Sequence, residues 1–282
     1  MPEFLSTLEY THLWNKNPRS AMPSDLPQPL PLFYQEYGSG PPLLILHGLF
    51  GSFDNWHTLA RRFAAHRHVF ALDQRNHGRS PHSPVFSYVA MAEDLRKFLD
   101  DRNLERVAVL GHSMGGKTAM QFAVTYPRRV SRLVVVDISP QAYGRRHDEI
   151  LEALCDLDLK GLRTRADADK ALSARIESPA VRQFLLKSLK REVDGTFGWK
   201  MNLPVIRDRY EEVNVELQGE GTFDGPTLFV RGTRSPYLSR SDVDAGRRWF
   251  PQAQVSEIDS GHWVHAEQPE AFFAAVEKFL SA

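Results

Sequence analysis

Ser113 stands between Gly111 and Gly115 in LGHSMGGK, and this pattern has a definite chemical use. A serine on a very sharp turn from strand to helix is lifted clear of the backbone as a nucleophile, the turn written G-x-S-x-G. Side chains two residues to either side would collide with neighbouring backbone, so both flanking positions call for glycine. The apolar run RVAVL leads into the motif and a helical pattern leaves it, which is the setting that such a turn requires. The helix behind the serine aims its amino end at negative charge developing there. Acyl transfer also needs hydrogen-bond donors for a tetrahedral oxyanion. The backbone N–H of Met114, next after the serine, is one candidate. The loop after LLILHG supplies the other, with Leu49 N–H preferred and Phe50 N–H second.

A serine nucleophile needs a base, and a histidine base needs a carboxylate to fix its tautomer. In EIDSGHWVHAEQPEAF, His262 falls between an apolar strand pattern and the last helix, where it can swing over the sheet towards Ser113. His265 is the competing candidate. His47 and His112 flank the other site positions and read as structural or pocket-lining groups. The acid is less obvious. The loop after TLFVRG, a place that carries this carboxylate in many enzymes with such a serine, carries Ser235 instead. Asp242 and Asp244 fall on the following helix facing water, and Asp224 precedes the strand, at its wrong end. Asp137 ends RLVVVD, the apolar strand after the nucleophile helix. A carboxylate buried there needs a partner. The expected triad is therefore Ser113, Asp137 and His262, with Ser235 bonded to Asp137 or His262; the bland alternative is an aspartate that caps a loop.

These positions imply the scaffold. LFYQEYG alternates apolar and polar residues, as a half-buried strand does, whereas PLLILHG and RVAVLGHS are continuous apolar runs typical of strands covered on both faces. HVFALD and AQVSEID complete the strand set. Helical patterns lie between the strands, including residues 88–102, a stretch around 241–249, and a last helix from Pro269 to Leu280. Alternating strand and helix predicts an α/β fold with a mostly parallel, doubly wound sheet. From 141 to about 215 the alternation breaks into amphipathic helices with no convincing strand. That length exceeds an ordinary crossover. It predicts a helical cap (141–215) inserted after the strand ending at Asp137, over a core of residues 32–140 and 216–282. Ligands of such sheets bind at the carboxyl ends of the strands.

Other function classes are disfavoured. Lys+Arg and Asp+Glu are both 35, giving zero net charge, where a nucleic-acid or anionic-membrane partner would call for a basic surplus. Arg128–Arg129 and Arg145–Arg146 read as solvated pairs. Cys155 is the sole cysteine, so no intrachain disulfide forms and an oxidising compartment is not indicated; it reads as a core residue. His66–His68 and His77–His82 lack metal-ligand spacing, and no metal or other cofactor is expected. No apolar run approaches the ~20 residues of a membrane span, and no signal pattern opens the chain. Residues 1–31, with Pro18, Pro23, Pro27, Pro29 and Pro31, are expected to be a poorly ordered leader, with Met22 a candidate native start. A cytoplasmic location is the default expectation.

Taken together, LLILHGLFGSFDNW, DQRNHGRSP, GHSMGGK, VVVDISP, FGWKMNL and GTRSPYLS resemble the α/β-hydrolase superfamily, in particular the YbfF-type esterases of bacteria, whose animal relatives are mitochondrial abhydrolases. The resemblance runs from about residue 32 to the end. It implies a cofactor-free enzyme with a small helical cap that cleaves acyl esters or thioesters, and small to medium acyl groups are the expected substrates. It also implies Ser113, Asp137 and His262 as the triad, with Ser235 accessory. Phe50, Phe53, Met114, Trp199 and Trp263 are candidates for an acyl pocket, with at least half expected in the core. A carbon–carbon bond hydrolase can use the same triad, and a non-catalytic ligand receptor can use the same fold. Serine at the nucleophile position argues against dehalogenases and epoxide hydrolases, which carry aspartate there.

Overall fold

A strand buried on both faces is apolar along its covered length, and three segments with such runs, LLIL, VAVL and LVVV, lie at the centre of the sheet. The computed structural model describes residues 27–282. In chain order it forms β1 (Tyr34–Tyr37), β2 (Pro42–Leu46), α1 (His57–Phe63), β3 (His68–Leu72), α2 (Tyr88–Asp101), β4 (Val107–His112), α3 (Met114–Thr125) and β5 (Val130–Val136). After an inserted segment come β8 (Thr227–Gly232), α8 (Arg240–Gly246), β9 (Ala253–Ile258), α9 (Val264–Glu267) and α10 (Pro269–Ser281). The seven strands run in the order β1-β3-β2-β4-β5-β8-β9. β1 pairs antiparallel with β3 and all other pairings are parallel. β2, β4 and β5, the three apolar runs, are neighbours in the middle.

Side chains alternate between faces along each strand, so the sheet has two cores. Leu44 and Leu46 pack with Phe98 of α2 and Phe122 of α3. Leu43 and Ile45 pack with Phe63 of α1 and Phe272 of α10. This is the doubly wound α/β arrangement. Of the leader expected over residues 1–31, positions 1–26, including Met22, lie outside the described residues. Residues 27–31 are held against the core, the Leu30 N–H donating to Asp94 Oδ1 at 2.6 Å.

The inserted segment carries α4 (Asp148–Cys155), α5 (Arg165–Leu172), α6 (Pro179–Leu186), β6 (Leu189–Arg191), β7 (Phe197–Trp199) and α7 (Leu203–Asp208). It packs as a third apolar cluster onto Leu49, Phe50, Met91 and Met114 of the core. The expectation of helices alone fails here, because β6 and β7 form a short antiparallel hairpin. LKR and FGW are too short to carry an alternating pattern, and only tertiary pairing makes them strands. Cys155 is partly buried against this cluster. The two ends of the segment are tied to α3. The buried Lys117 Nζ donates to Gln141 O and Val215 O and lies 4.8 Å from the Tyr143 ring centroid. One turn later Gln121 exchanges two hydrogen bonds with the Gln218 backbone.

Candidate active site

The turn at Ser113 has the conformation its glycines suggest. Ser113 sits at φ 53°, ψ −121°, outside the regions open to most L-residues. A Cβ on Gly111 would lie 2.1 Å from Gly115 O, and one on Gly115 would lie 2.5 Å from Leu46 O. Neither position can hold a side chain while the turn keeps this shape. The Ser113 N–H donates to Val136 O at 3.0 Å, and Lys117 N–H donates to Ser113 O at 3.0 Å, opening α3.

The β4–β5 register pairs His112 with Val136, so the next residues, Ser113 and Asp137, end adjacent strands side by side. Asp137 is fully buried and has φ 51°, a left-handed conformation that aspartate tolerates better than most residues. Its Oδ1 accepts from Gly232 N–H at 2.9 Å. Its Oδ2 accepts from the Ser235 hydroxyl and pairs with His262 Nδ1 at 2.8 Å. The carboxylate therefore lies between the ends of β5 and β8, and Ser235 reaches it from the loop where an acid was first sought. With Nδ1 donating to Asp137, the second nitrogen of the imidazole, Nε2, is left as the acceptor.

Burial governs the protonation of this pair. It pushes the Asp137 carboxyl up to about 6, against the opposing hydrogen bonds of Ser235 and Gly232. It holds the His262 imidazole down at about 3, with His147 and Arg146 acting in the same sense. At neutral pH the histidine is thus neutral and able to take a proton. Two rings fix its plane. Tyr237 stacks on it with centroids 4.0 Å apart, and His112 lies 4.6 Å away and donates from Nε2 to His262 O at 2.9 Å. The competing His265 is elsewhere: it is buried and stacked on Trp56 at 4.2 Å.

The loop after β2 approaches Ser113 so closely that a Cβ on Gly48 would lie 3.3 Å from the Ser113 Cβ. Two buried histidines hold this loop. His47 Nε2 accepts from Gln74 N–H at 3.0 Å, which leaves Nδ1–H to donate to Gly48 O at 2.8 Å. His77 Nε2 accepts from Phe50 N–H at 3.3 Å. No cis peptide occurs among the described residues, and in a trans peptide C=O and N–H point in opposite directions. Pinning Gly48 O therefore aims the Leu49 N–H of the same peptide the other way. Burial keeps both histidines neutral, at about 4 for His47 and about 3 for His77.

A cavity of about 210 Å³ opens onto Ser113, His262 and His112. Leu49, Phe50 and Trp263 of the core form one side of it, and Ile150, Val181, Phe184 and Leu185 of the insert close over it. Of the five aromatic and sulfur candidates for the pocket, at least half of them expected in the core, Phe50 and Trp263 line it. Phe53, Met114 and Trp199 pack into the apolar clusters instead. Sequence reasoning missed the polar side of the cavity, formed by Arg146, His147 and Tyr237. Tyr237 was within reach, two positions after Ser235 in the same quoted motif. Arg146 and His147 sit in the loop leaving β5 and carry no local signal. Among the described residues, no group of three or more His, Cys, Asp or Glu side chains is placed to hold a metal ion. Among those residues, too, no helix is long and apolar enough to cross a membrane.

Known proteins resemble this chain across most of its length. Residues 41–197 match the family described as the alpha/beta hydrolase fold. The chain is 39% identical over 249 residues to Esterase YbfF of Escherichia coli strain K12, covering 88% of this chain and 96% of that protein. It is 40% identical over 266 residues to the sn-1-specific diacylglycerol lipase ABHD11 of Mus musculus, covering 90% and 86%. Among solved structures, a marine microorganism esterase superposes with a TM-score of 0.87 at 40% identity, covering 89% of this chain and 99% of that one.

Proposed function

The chain belongs to the α/β-hydrolase fold family and is a hydrolase of its esterase branch, and from that premise we propose that it cleaves carboxylic esters or thioesters through an acyl-enzyme on Ser113. The observation that carries this reading is the 2.8 Å bond from His262 Nδ1 to the buried Asp137, beside a strained serine that faces the same cavity.

In the first half-reaction, His262 Nε2 takes the Ser113 proton as Oγ attacks the ester carbonyl. The Leu49 and Met114 N–H groups stabilise the oxyanion that forms. Phe50 N–H, the second loop candidate, is engaged by His77. The protonated His262 then gives its proton to the departing alcohol or thiol. In the second half-reaction, His262 deprotonates a water that attacks the acyl-enzyme, the acyl–Oγ bond breaks to release the acid, and His262 returns the proton to Ser113. Asp137 fixes the imidazole tautomer and stabilises the imidazolium, and Ser235 donates to Oδ2, the same carboxylate oxygen that holds His262. None of these steps calls on a metal or cofactor.

The insert acts as a cap that supplies the apolar wall of the acyl site. The cavity is smaller than the roughly 300–1,000 Å³ usual for ligand pockets, which favours small to medium acyl groups. We place the enzyme in the cytoplasm, to be checked by fractionation of the source cells.

The test is hydrolysis of p-nitrophenyl butyrate by wild type and Ser113→Ala, with fluorophosphonate labelling followed by peptide mapping. Turnover by wild type alone, with the label on Ser113, is expected. Turnover retained in Ser113→Ala would overturn the nucleophile. An inert, unlabelled wild type would overturn the esterase mechanism. Cleavage of a ring-fission diketone in preference to esters would reassign the substrate class to carbon–carbon bonds.

A further inference from the structure

Phe50 follows the Leu49 donor and stands at φ 64°, a left-handed conformation that a bulky residue holds only where its surroundings impose it. From the core, His77 accepts its N–H. From the insert, the buried Ser188 hydroxyl donates to its carbonyl oxygen at 2.6 Å. The His77 side has a second tie. Asn76, also at φ 64°, accepts at its backbone oxygen from Asn202 N–H at 2.8 Å and at Oδ1 from Asn202 Nδ2 at 3.1 Å. Ser188 immediately precedes β6 and Asn202 follows β7. A bond from Lys200 N–H to Ser188 O closes the base of this hairpin. One small hairpin thus grips Phe50 of the loop directly and Asn76, the neighbour of the His77 that holds Phe50.

We propose that Ser188, with Asn202, is a positioning residue for the oxyanion donor: the base of the insert's hairpin holds the Gly48–Phe50 loop in the conformation that aims Leu49 N–H at the reaction centre. The inference rests on the acyl-transfer reading given above. It makes the insert part of the catalytic apparatus as well as a wall of the acyl site. A cap that only binds the acyl chain affects KM. A hairpin that sets an oxyanion donor affects the transition state, and so kcat. Neither side chain lines the cavity, so both act through the loop.

The experiment compares wild type, Ser188→Ala, Ser188→Thr and Asn202→Ala on p-nitrophenyl butyrate, with thermal melts of each. It also measures inhibition by an alkyl trifluoromethyl ketone, which adds to a serine hydroxyl as a tetrahedral adduct bearing an oxyanion. Ser188→Ala is expected to lower kcat about tenfold, the scale of one lost hydrogen bond, with KM changed less than about twofold. Its Ki for the ketone is expected to rise by the same factor as kcat falls. Ser188→Thr, which keeps the hydroxyl, is expected to retain most of kcat. Unchanged kcat and Ki in a folded Ser188→Ala, or a rise confined to KM, would overturn the inference. Should Ser188→Ala fail to fold, Asn202→Ala decides by the same kcat and Ki criteria. Ser113→Ala in the same assay separates the two readings. Serine-independent turnover removes the acyl-enzyme mechanism, whereas serine-dependent turnover with a wild-type-like Ser188→Ala removes only the positioning role.

Discussion

Replacing Asp137 with asparagine tests the relocated acid most sharply, because the side chain keeps its shape and loses one acceptor. The carboxylate receives three donors: Gly232 N–H and His262 Nδ1–H at 2.9 and 2.8 Å, and the Ser235 hydroxyl. An amide has one acceptor oxygen. Turned towards His262, it leaves its NH2 facing the Gly232 N–H, donor against donor, in a fully buried place, at a cost of about 1–3 kcal/mol. Turned towards Gly232, it presents NH2 to His262, and Nδ1 must become the acceptor. The proton then resides on Nε2, the nitrogen that should deprotonate Ser113, and the base is blocked. The preference for this inert arrangement supplies a factor of about 5–150 at about 1.4 kcal/mol per decade. Loss of the negative charge that stabilises the imidazolium supplies the remainder. The expected loss is about 10³–10⁴ in kcat, as in the serine protease case. The assay is p-nitrophenyl butyrate hydrolysis with urea melts alongside, and stability is expected to change little, since an uncharged side chain is easier to bury. A folded Asp137→Asn within tenfold of wild type would refute the tautomer argument and return the search for the acid to the loop around Ser235.

Further outcomes follow from the same geometry. Ser235→Ala is expected to lower kcat about tenfold and, because the lost bond favours the Asp137 carboxylate, to move the acid limb of kcat/KM to higher pH; an unmoved limb would count against the contact. In wild type that limb is expected below pH 6.5, the ordinary imidazole value, since burial lowers His262 to about 3 and Asp137 reaches only about 6; an inflection above 6.5 would contradict a buried base. Lys117→Met strands the Gln141 and Val215 carbonyls and is expected to cost about 2–5 kcal/mol in urea unfolding; a loss below about 1 kcal/mol would show that the ends of the insert are held elsewhere. His47, His77, His112 and His265 are buried bases with lowered pKa values. The unfolded chain therefore binds more protons than the folded chain below 6.5, and stability present above 6.5 is lost as pH falls, by up to about 5 kcal/mol per pH unit for the four. The raised buried carboxyls Asp73 and Asp94 shift the opposite way and offset part of this. Urea midpoints at pH 7.5 and 5.5 check the net sign.

What could be read in the sequence shares one physical property: it is fixed by local backbone. The Ser113 turn needs two glycines because of clashes within a few residues of chain. The central strands announce themselves by continuous apolar runs, since burial on both faces leaves no polar position. Asp137 could be singled out because a charge at the end of such a run is anomalous. The stacking of Tyr237 on His262, the placing of Arg146 and His147 at the cavity, and the bonds of Ser188 to Phe50 and of Asn202 to Asn76 are different. Each depends on where a loop of one element meets another, and no periodicity records that. The β6–β7 hairpin was invisible for a related reason. Its strands hold three residues each, less than two periods of alternation, so only their pairing across the chain defines them. The aromatic candidates divided between core and cavity because an apolar ring satisfies either place equally well.

The acid proposed at 137 then has a simple geometric account. β5 lies between β4 and β8, so the ends of β5 and β8 are adjacent positions on one edge of the sheet. A carboxylate rooted at the end of β5 reaches the space over the end of β8 if its backbone turns out of the strand, and the left-handed conformation of Asp137 is such a turn. The N–H at the end of β8, that of Gly232, then accepts the role of anchor. The loop beyond it needs only a small donor, and Ser235 provides one. A second carboxylate at 235 would bring two negative charges against one histidine in a buried place, where like charges cannot both ionise. If Asp137 is the acid, as proposed, a second carboxylate at 235 is disfavoured, and the serine in GTRSPYLS, which donates to Asp137, is compatible with the aspartate in VVVDISP.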